Sequence, residues 1–296
     1  MPLATETQKK LAYLGNKYPQ LYNALTEHRT HKGDAITFRD HRYLKKIYMD
    51  SPRKLVVKKS TQCGISEFLV VVAIAKAREG RSIFYVLPTY FLMTRFVKNR
   101  FDKSILQTPG YQQDMHETKQ KRIGLGYMGL SESMTLKSFH NGTIAFLGSQ
   151  STGAFTEFPA DDVIIDELDE CDQENIQMSE ERLAHSDDPR QIYVGNPTLT
   201  GYGIDEQYSS TDKQVWAIRC ECGKYVMLDF FKNIVSQDKE GDYVILDPDY
   251  DEKKEADIRP ICHHCNRPID RYGDGAWIPT GTGKYPGYHI SKLFST

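Results

Sequence analysis

Lys54-Leu55-Val56-Val57-Lys58-Lys59-Ser60-Thr61-Gln62-Cys63-Gly64-Ile65-Ser66-Glu67 is the stretch on which the fold turns. A short β-branched strand, Leu55 to Val57, runs into a small polar loop. The loop opens an apolar helix, Ser66 to Glu79, which Gly80 ends. Strand, loop and helix in that order make an anion cradle, because backbone N–H groups of the loop and of the first helical turn converge on one point. The usual consensus is a glycine, four residues, then Gly-Lys-Ser/Thr. Here Gly64 is the second glycine and Ser66 the final hydroxyl, but Ile65 holds the lysine position and Lys59 that of the first glycine. A loop that curls around phosphates brings its first residue back to them, so Lys59 can supply the cation from the other end. On this reading Lys59, Ser60, Thr61, Gln62, Cys63, Gly64, Ile65 and Ser66 form the phosphate cradle, with the Ser66 hydroxyl placed for Mg2+.

A second stretch answers the first about a hundred residues later: Asp161-Asp162-Val163-Ile164-Ile165-Asp166-Glu167-Leu168-Asp169-Glu170. An apolar run ends abruptly in two acids. In nucleoside triphosphatases a buried strand delivers an aspartate to Mg2+ and a neighbouring acid polarises the attacking water. Asp166 and Glu167 are the candidates for those roles; the plain alternative is a core strand followed by an acidic helix start. A third strand, Gln191 to Gly195, ends in Asn196-Pro197-Thr198. Asn196 or Thr198 can serve as a polar sensor of the γ-phosphate, and a simple Gly-Asn-Pro turn is the alternative. ATP and Mg2+ are the ligands this set implies.

With those motifs in that order, the chain resembles the large terminase subunit of tailed bacteriophages, in its lambda-like branch. The resemblance rests on the displaced Lys59, the strand ending in Asp166-Glu167, the segment Tyr85-Val-Leu-Pro-Thr89 and the turn Asn196-Pro-Thr198. It continues through two cysteine pairs to Gly287-Tyr-His-Ile-Ser291, so it covers nearly the whole chain from about Phe38. It implies a P-loop ATPase of the RecA-like, additional-strand kind, α/β, with a mostly parallel central sheet flanked by helices. It further implies an ATP-hydrolysing motor that moves double-stranded DNA into a procapsid. The partners would be the small terminase subunit, the portal protein and other copies of the chain in a ring, in the cytoplasm of the infected bacterium. Phe38 and Arg42, in the amphipathic segment Phe38 to Tyr48, become candidates for holding adenine; helix packing and a solvated basic face are the alternatives. Terminases of this kind resemble two-part machines with a nuclease domain, and the remaining acids supply no second cluster for a two-metal nuclease. The expectation is therefore the motor part without the cutter.

Composition agrees with a globular domain, at 39% apolar and 26% charged residues. No apolar run approaches the ~20 residues of a membrane span, and Met1 to Glu6 carries no signal-peptide pattern. A net charge of −2 excludes a globally basic nucleic-acid binder but not a local basic patch. Strands alternate with helices from Leu55 to Thr198, which favours a parallel sheet with ligands at the carboxyl ends of its strands. Residues 107–134 read as loop. Thr135 to Phe139 and Thr143 to Leu147 flank Asn141-Gly142 as a hairpin. The helix Tyr90 to Leu106 carries Arg95, Lys98, Arg100 and Lys103, for DNA phosphates, for a neighbour's active site, or for solvent alone.

Three units are expected: a helical segment at 1–37, the ATPase core at 38–200, and a β-rich zinc-binding subdomain at 201–296. The last rests on Cys220-Glu-Cys222 and Cys262-His-His-Cys265, spaced as a tetrahedral zinc site. His263 or His264 can replace one sulfur. Two disulfides are the alternative, disfavoured by the absence of a secretory signal. Cys63 and Cys171 read as plain thiols. Two other functions share parts of this pattern: a nucleic-acid helicase or remodelling ATPase, and a non-enzymatic zinc module that binds DNA or protein.

Overall fold

A computed structural model describes residues 6–124, 133–151, 159–251 and 258–294. Its strands are β1 (Lys54–Lys59), β2 (Ser82–Leu87), β3 (Leu136–Phe139), β4 (Gly142–Gly148), β5 (Asp162–Ile165), β6 (Arg190–Gly195), β7 (Gln214–Arg219), β8 (Tyr225–Met227), β9 (Val235–Gln237), β10 (Tyr243–Ile245), β11 (Gly275–Pro279) and β12 (Gly287–Ile290). Among the described residues, ten of them form one sheet in the order β11-β7-β12-β1-β6-β5-β2-β4-β3, with β8 added on β7. The run from β7 to β4 is parallel throughout, and β11, β3 and β8 join antiparallel.

The helices are α1 (Glu6–Lys17), α2 (Pro19–Thr26), α3 (Leu44–Met49), α4 (Ile65–Arg78), α5 (Tyr90–Phe96), α6 (Asp102–Gln107), α7 (Pro109–Gly124), α8 (Gln173–Glu181) and α9 (Gly203–Ser209). A parallel sheet is covered on both faces, so its strands are apolar without alternation. Leu55, Val56 and Val57 are accordingly all buried. Leu55, Val57, Tyr85, Ile164 and Val194 pack on the α4 side, while Val56, Phe84, Val163, Ile165 and Tyr193 pack on the other with Ile176 of α8 and Ile204 of α9. Helix α4 is apolar all round because it lies between the sheet and Leu21, Ala24, Ile47 and Tyr48. Phe68 of α4 has no exposed surface, so its truncation to alanine costs about 3–5 kcal/mol. Among the described residues no helix is long and apolar enough to cross a membrane.

The hairpin forms as expected, with Phe139 opposite Gly142. A Cβ at Gly142 would lie 2.1 Å from the Ala77 carbonyl oxygen, so this position needs glycine for space. Three expectations change. Residues 109–124 are helix rather than loop, because Tyr111, Met115 and Thr118 give α7 a buried stripe sparse enough to read as polar sequence. Among the described residues, the segment 6–37 has no core of its own: Leu21 and Ala24 belong to the cluster around α4. The segment 201–296 is not separate either. Its strand β12 pairs in parallel with β1, Val57 opposite Tyr288, and β7 extends the sheet beyond it. Residues 152–155 of the polar loop before β5, and the side chain of Arg122, lie outside the described residues.

Candidate active site

The carboxyl ends of three adjacent strands meet at one edge. β6 lies between β1 and β5, with Lys58 opposite Gly195 and Ile165 opposite Tyr193. Lys59, Asn196 and Asp166 therefore come from neighbouring strand ends. The chain leaves β1 into α4 on one face of the sheet and leaves β6 toward α9 on the other, and such a switch is where open α/β sheets form their ligand crevice.

The loop after β1 is held in a curl. Gln62 and Gly64 have φ of 59° and 79°, in the left-handed region. A Cβ on Gly64 would lie 2.8 Å from Leu44 Cδ1. The Tyr43 hydroxyl donates to the Cys63 carbonyl at 3.3 Å, and the Cys63 thiol donates to the Ser60 carbonyl at 3.2 Å. Ser60 N–H donates to the Ile290 carbonyl of β12 at 3.0 Å. The Ser60 hydroxyl is buried without a partner among the described residues. The N-terminus of α4 then opens on a cleft of about 390 Å3, whose walls include Lys59, Gln62, Gly64, Ser66 and Arg100. The opposite wall is the chain from Thr30 to Phe38 with His41 and Tyr48. Phe38 is in the wall, edge-on to Tyr48. Arg42 is not: it is paired with Asp274, and His41 stands in its place.

Strand alternation separates the two lysines. Lys59 falls on the α4 face; it is 6% exposed, and its Nζ donates to Glu167 Oε1 at 2.6 Å. Burial pulls the Lys59 ammonium toward neutrality, but Glu167 and Asp166 outweigh it and hold the group above its ordinary range. Lys58 falls on the other face, where it bonds Asp205 at 2.6 Å and lies 5.3 Å from the Tyr208 ring centre.

At the end of β5, Asp166 is buried. Its Oδ2 accepts from the Tyr85 hydroxyl at 3.3 Å, and its Oδ1 has no partner among the described residues. Burial, and then the adjacent Glu167 charge, push its carboxyl up to about 6, against the pull of Lys59. A buried carboxylate oxygen without a partner costs free energy. A hard divalent cation, which takes oxygen ligands, suits such an oxygen. Glu167 follows at φ 57°, a conformation rarely adopted by a residue with a long side chain, and its carboxylate is 37% exposed. Asn196 is exposed at the end of β6. Thr198 is occupied, since its N–H and hydroxyl both donate to Asp169.

Residues 18–281 match the family model for the phage terminase large subunit gpA, ATPase domain. The chain belongs to this family. Among solved structures, it resembles the large terminase of bacteriophage HK97 at 10% identity and TM-score 0.53, over 66% of this chain and 40% of that one. It is also similar to the large terminase ATPase domain of Thermus phage P74-26, at 13% identity and TM-score 0.41, over 56% and 68% of the two chains. The likeness to the HK97 protein is one of fold. No curated protein sequence matches the chain.

This terminase ATPase domain carries a second cluster. The sulfurs of Cys220, Cys222, Cys262 and Cys265 lie within 4.8 Å of one another, with Cys220 to Cys265 at 3.6 Å and Cys222 to Cys262 at 4.0 Å. Four thiolates around tetrahedral zinc at Zn–S of about 2.3 Å sit about 3.8 Å apart, so the cluster fits that ion. All six cysteines are free thiols. His263 and His264 are outside the cluster, and His263 Nδ1 lies 3.5 Å from Asn233 Nδ2. Cys220 and Cys262 are buried in the same core as Trp216, Ile218 and Tyr288, so the cluster is built into the sheet. Sequence reasoning missed the wall from Thr30 to Thr37 and His41. Thr30 marks it locally as a turn, its hydroxyl accepting from the Lys32 and Asp34 N–H groups, but nothing local points that turn at residue 64.

Proposed function

We propose that the chain is the ATP-hydrolysing motor part of a terminase that drives double-stranded DNA into a procapsid. One observation carries this reading: Lys59, a partnerless oxygen of Asp166, and Glu167 converge beside a curled loop at a helix N-terminus. Backbone N–H groups from Gln62 to Ser66 and the Lys59 ammonium receive the phosphates. Asp166 and Ser66 hold Mg2+, which when bound screens the charge that develops on the transferred phosphoryl group. Glu167 orients and polarises the attacking water. Its bond to Lys59 gives the site an order of events, because phosphate oxygens that draw Lys59 away free the carboxylate for water. Asn196 senses the γ-phosphate, and Phe38 flanks the base.

Cys220, Cys222, Cys262 and Cys265 hold one structural zinc ion, with no open position for water. The small terminase subunit, the portal and neighbouring copies in a ring are the partners that go with this function. The test is ATP turnover with and without duplex DNA, together with displacement of a third strand from intact duplex. DNA-stimulated turnover with third-strand displacement and no duplex unwinding supports the motor. Strand separation would make the protein a helicase, and absence of turnover with DNA and neighbours present would leave a zinc module.

A further inference from the structure

Asp169 lies three residues beyond Asp166, and its carboxylate gathers hydrogen bonds from two other elements around the site. Its Oδ2 accepts from the Thr198 N–H at 2.8 Å and from the Thr198 hydroxyl at 2.9 Å. Its Oδ1 accepts from the Ile204 N–H at 2.8 Å, in the first turn of α9. Two glycines make room for it. A Cβ at Gly203 would lie 2.5 Å from Oδ1, and Gly203 has φ 54°; a Cβ at Gly195 would lie 3.3 Å from the same oxygen. One carboxylate thus joins the turn after β5, the loop after β6 and the start of α9.

The connection continues. Asp205 of α9 accepts from Lys58 Nζ at 2.6 Å and from the Gly201 N–H at 2.8 Å. Helix α9 is therefore fastened to the end of β1, one residue before Lys59. Lys59 in turn bonds Glu167 at 2.6 Å, and Glu167 leads back to Asp169 through a short 3-10 turn, Leu168–Glu170. The links close a ring around the catalytic pair. Its covalent sides are the ends of β1, β5 and β6, and its fastenings are Asp169, the Lys58–Asp205 pair and the Lys59–Glu167 bond.

We infer that Asp169 is a positioning residue: it fixes Glu167 relative to the end of β6, and passes displacement of Glu167 to Asn196 and α9. The inference rests on the function proposed above. Glu167 sits in a strained backbone conformation immediately before the turn, so it keeps that conformation only while the turn is held. Without Asp169 the turn relaxes, and Glu167 is lost as a water-orienting group although the phosphate cradle is untouched.

The test compares Asp169→Ala, Asp169→Asn, Thr198→Val and the double variant Asp169→Ala/Thr198→Val in the whole chain, with Glu167→Gln in parallel. Fluorescent ADP binding, kcat and KM for ATP with duplex DNA, and melting temperature are measured. Asp169→Ala is expected to bind ADP within about twofold of wild type while kcat falls about 10- to 100-fold, the loss of a charge-assisted hydrogen-bond set read at the transition state. Asp169→Asn keeps an acceptor for Ile204 N–H and recovers part of that loss. The double variant falls no further than Asp169→Ala alone, as coupled sites require. The inference is overturned by a kcat for Asp169→Ala within about twofold of wild type. It is equally overturned if ADP affinity and melting temperature collapse together with kcat and Asp169→Asn restores nothing, since Asp169 would then be only a brace of the fold. Loss of hydrolysis in Glu167→Gln with normal Asp169→Ala removes this inference alone; normal hydrolysis in Glu167→Gln removes the proposed function with it.

Discussion

Replacing Asp166 with asparagine is predicted to stabilise the protein while disabling it. The Asp166 carboxyl is raised from 3.8 to about 6, first by burial and then by Glu167. The unfolded chain therefore releases this proton at lower pH than the folded one. The raised folded value means that stability is fully present below pH 4 and falls as pH rises through 6, after which the cost is constant. About two units at ~1.36 kcal/mol each make that cost about 3 kcal/mol at pH 7, and about 0.5 kcal/mol at pH 4. The asparagine side chain cannot ionise and so avoids it. In a chain of this size the difference raises the melting temperature on the order of 5 °C at pH 7 and hardly at all at pH 4. Thermal melts of Asp166→Asn and wild type from pH 4 to 8, without Mg2+, measure it. Adding Mg2+ and ATP should then stabilise the wild type more than the variant, because the ionised carboxylate gains its ligand. Equal melting temperatures at pH 7, or a gain as large at pH 4 as at pH 7, would show that Asp166 is not held as an unsatisfied acid.

Three further outcomes follow from the geometry. Lys59→Ala should abolish ATP hydrolysis while Lys58→Ala reduces it a few-fold, because Lys58 points to the opposite face and bonds Asp205; equal losses in a turnover assay would contradict the assignment. Gly64→Ala forces a side chain into φ 79° and toward Leu44, which should cost about 1–3 kcal/mol in a denaturant melt and weaken nucleotide binding; wild-type values for both would show that the loop is not held in this curl. Purified protein should contain one zinc ion per chain, and Cys262→Ser should release it. Because β7 runs from the cluster to β12 and β12 pairs with β1, hydrogen exchange should then rise through β7, β11 and β12, and nucleotide affinity should fall. Unchanged affinity would make the cluster an independent appendage.

The strand–loop–helix at Lys54 to Arg78, the strand ending in acids and the cysteine cluster were legible because each is local chemistry. Lys59 to Ser66 is a short run with a strand before it and a helix after, and Asp166-Glu167 ends its own strand. The alternation that separates Lys58 from Lys59 is likewise readable once Leu55 to Val57 is taken as strand. The pairing of Gly287–Ile290 with β1 was not legible, because the partners are more than two hundred residues apart and a parallel neighbour leaves no turn between them. For the same reason the zinc region read as separate. Arg42 looked like a pocket residue from its amphipathic segment, and only the folded chain brings Asp274 to it. Helix α7 was hidden because its inward side needs only Tyr111, Met115 and Thr118. Asp169 looked like one more acid in an acidic stretch; its meaning lies in Thr198, Gly203 and Ile204, which the sheet order brings to it.

The site stands or falls on Glu167. Glu167→Gln keeps the size and burial of the side chain and removes the base. Steady-state hydrolysis with duplex DNA, measured beside ATP binding on the same preparation, should show binding within about twofold of wild type and turnover lower by about 10²–10⁴. Turnover equal to wild type in that assay would mean that water is activated elsewhere, and that Lys59 and Glu167 are no more than an ion pair at the edge of the sheet.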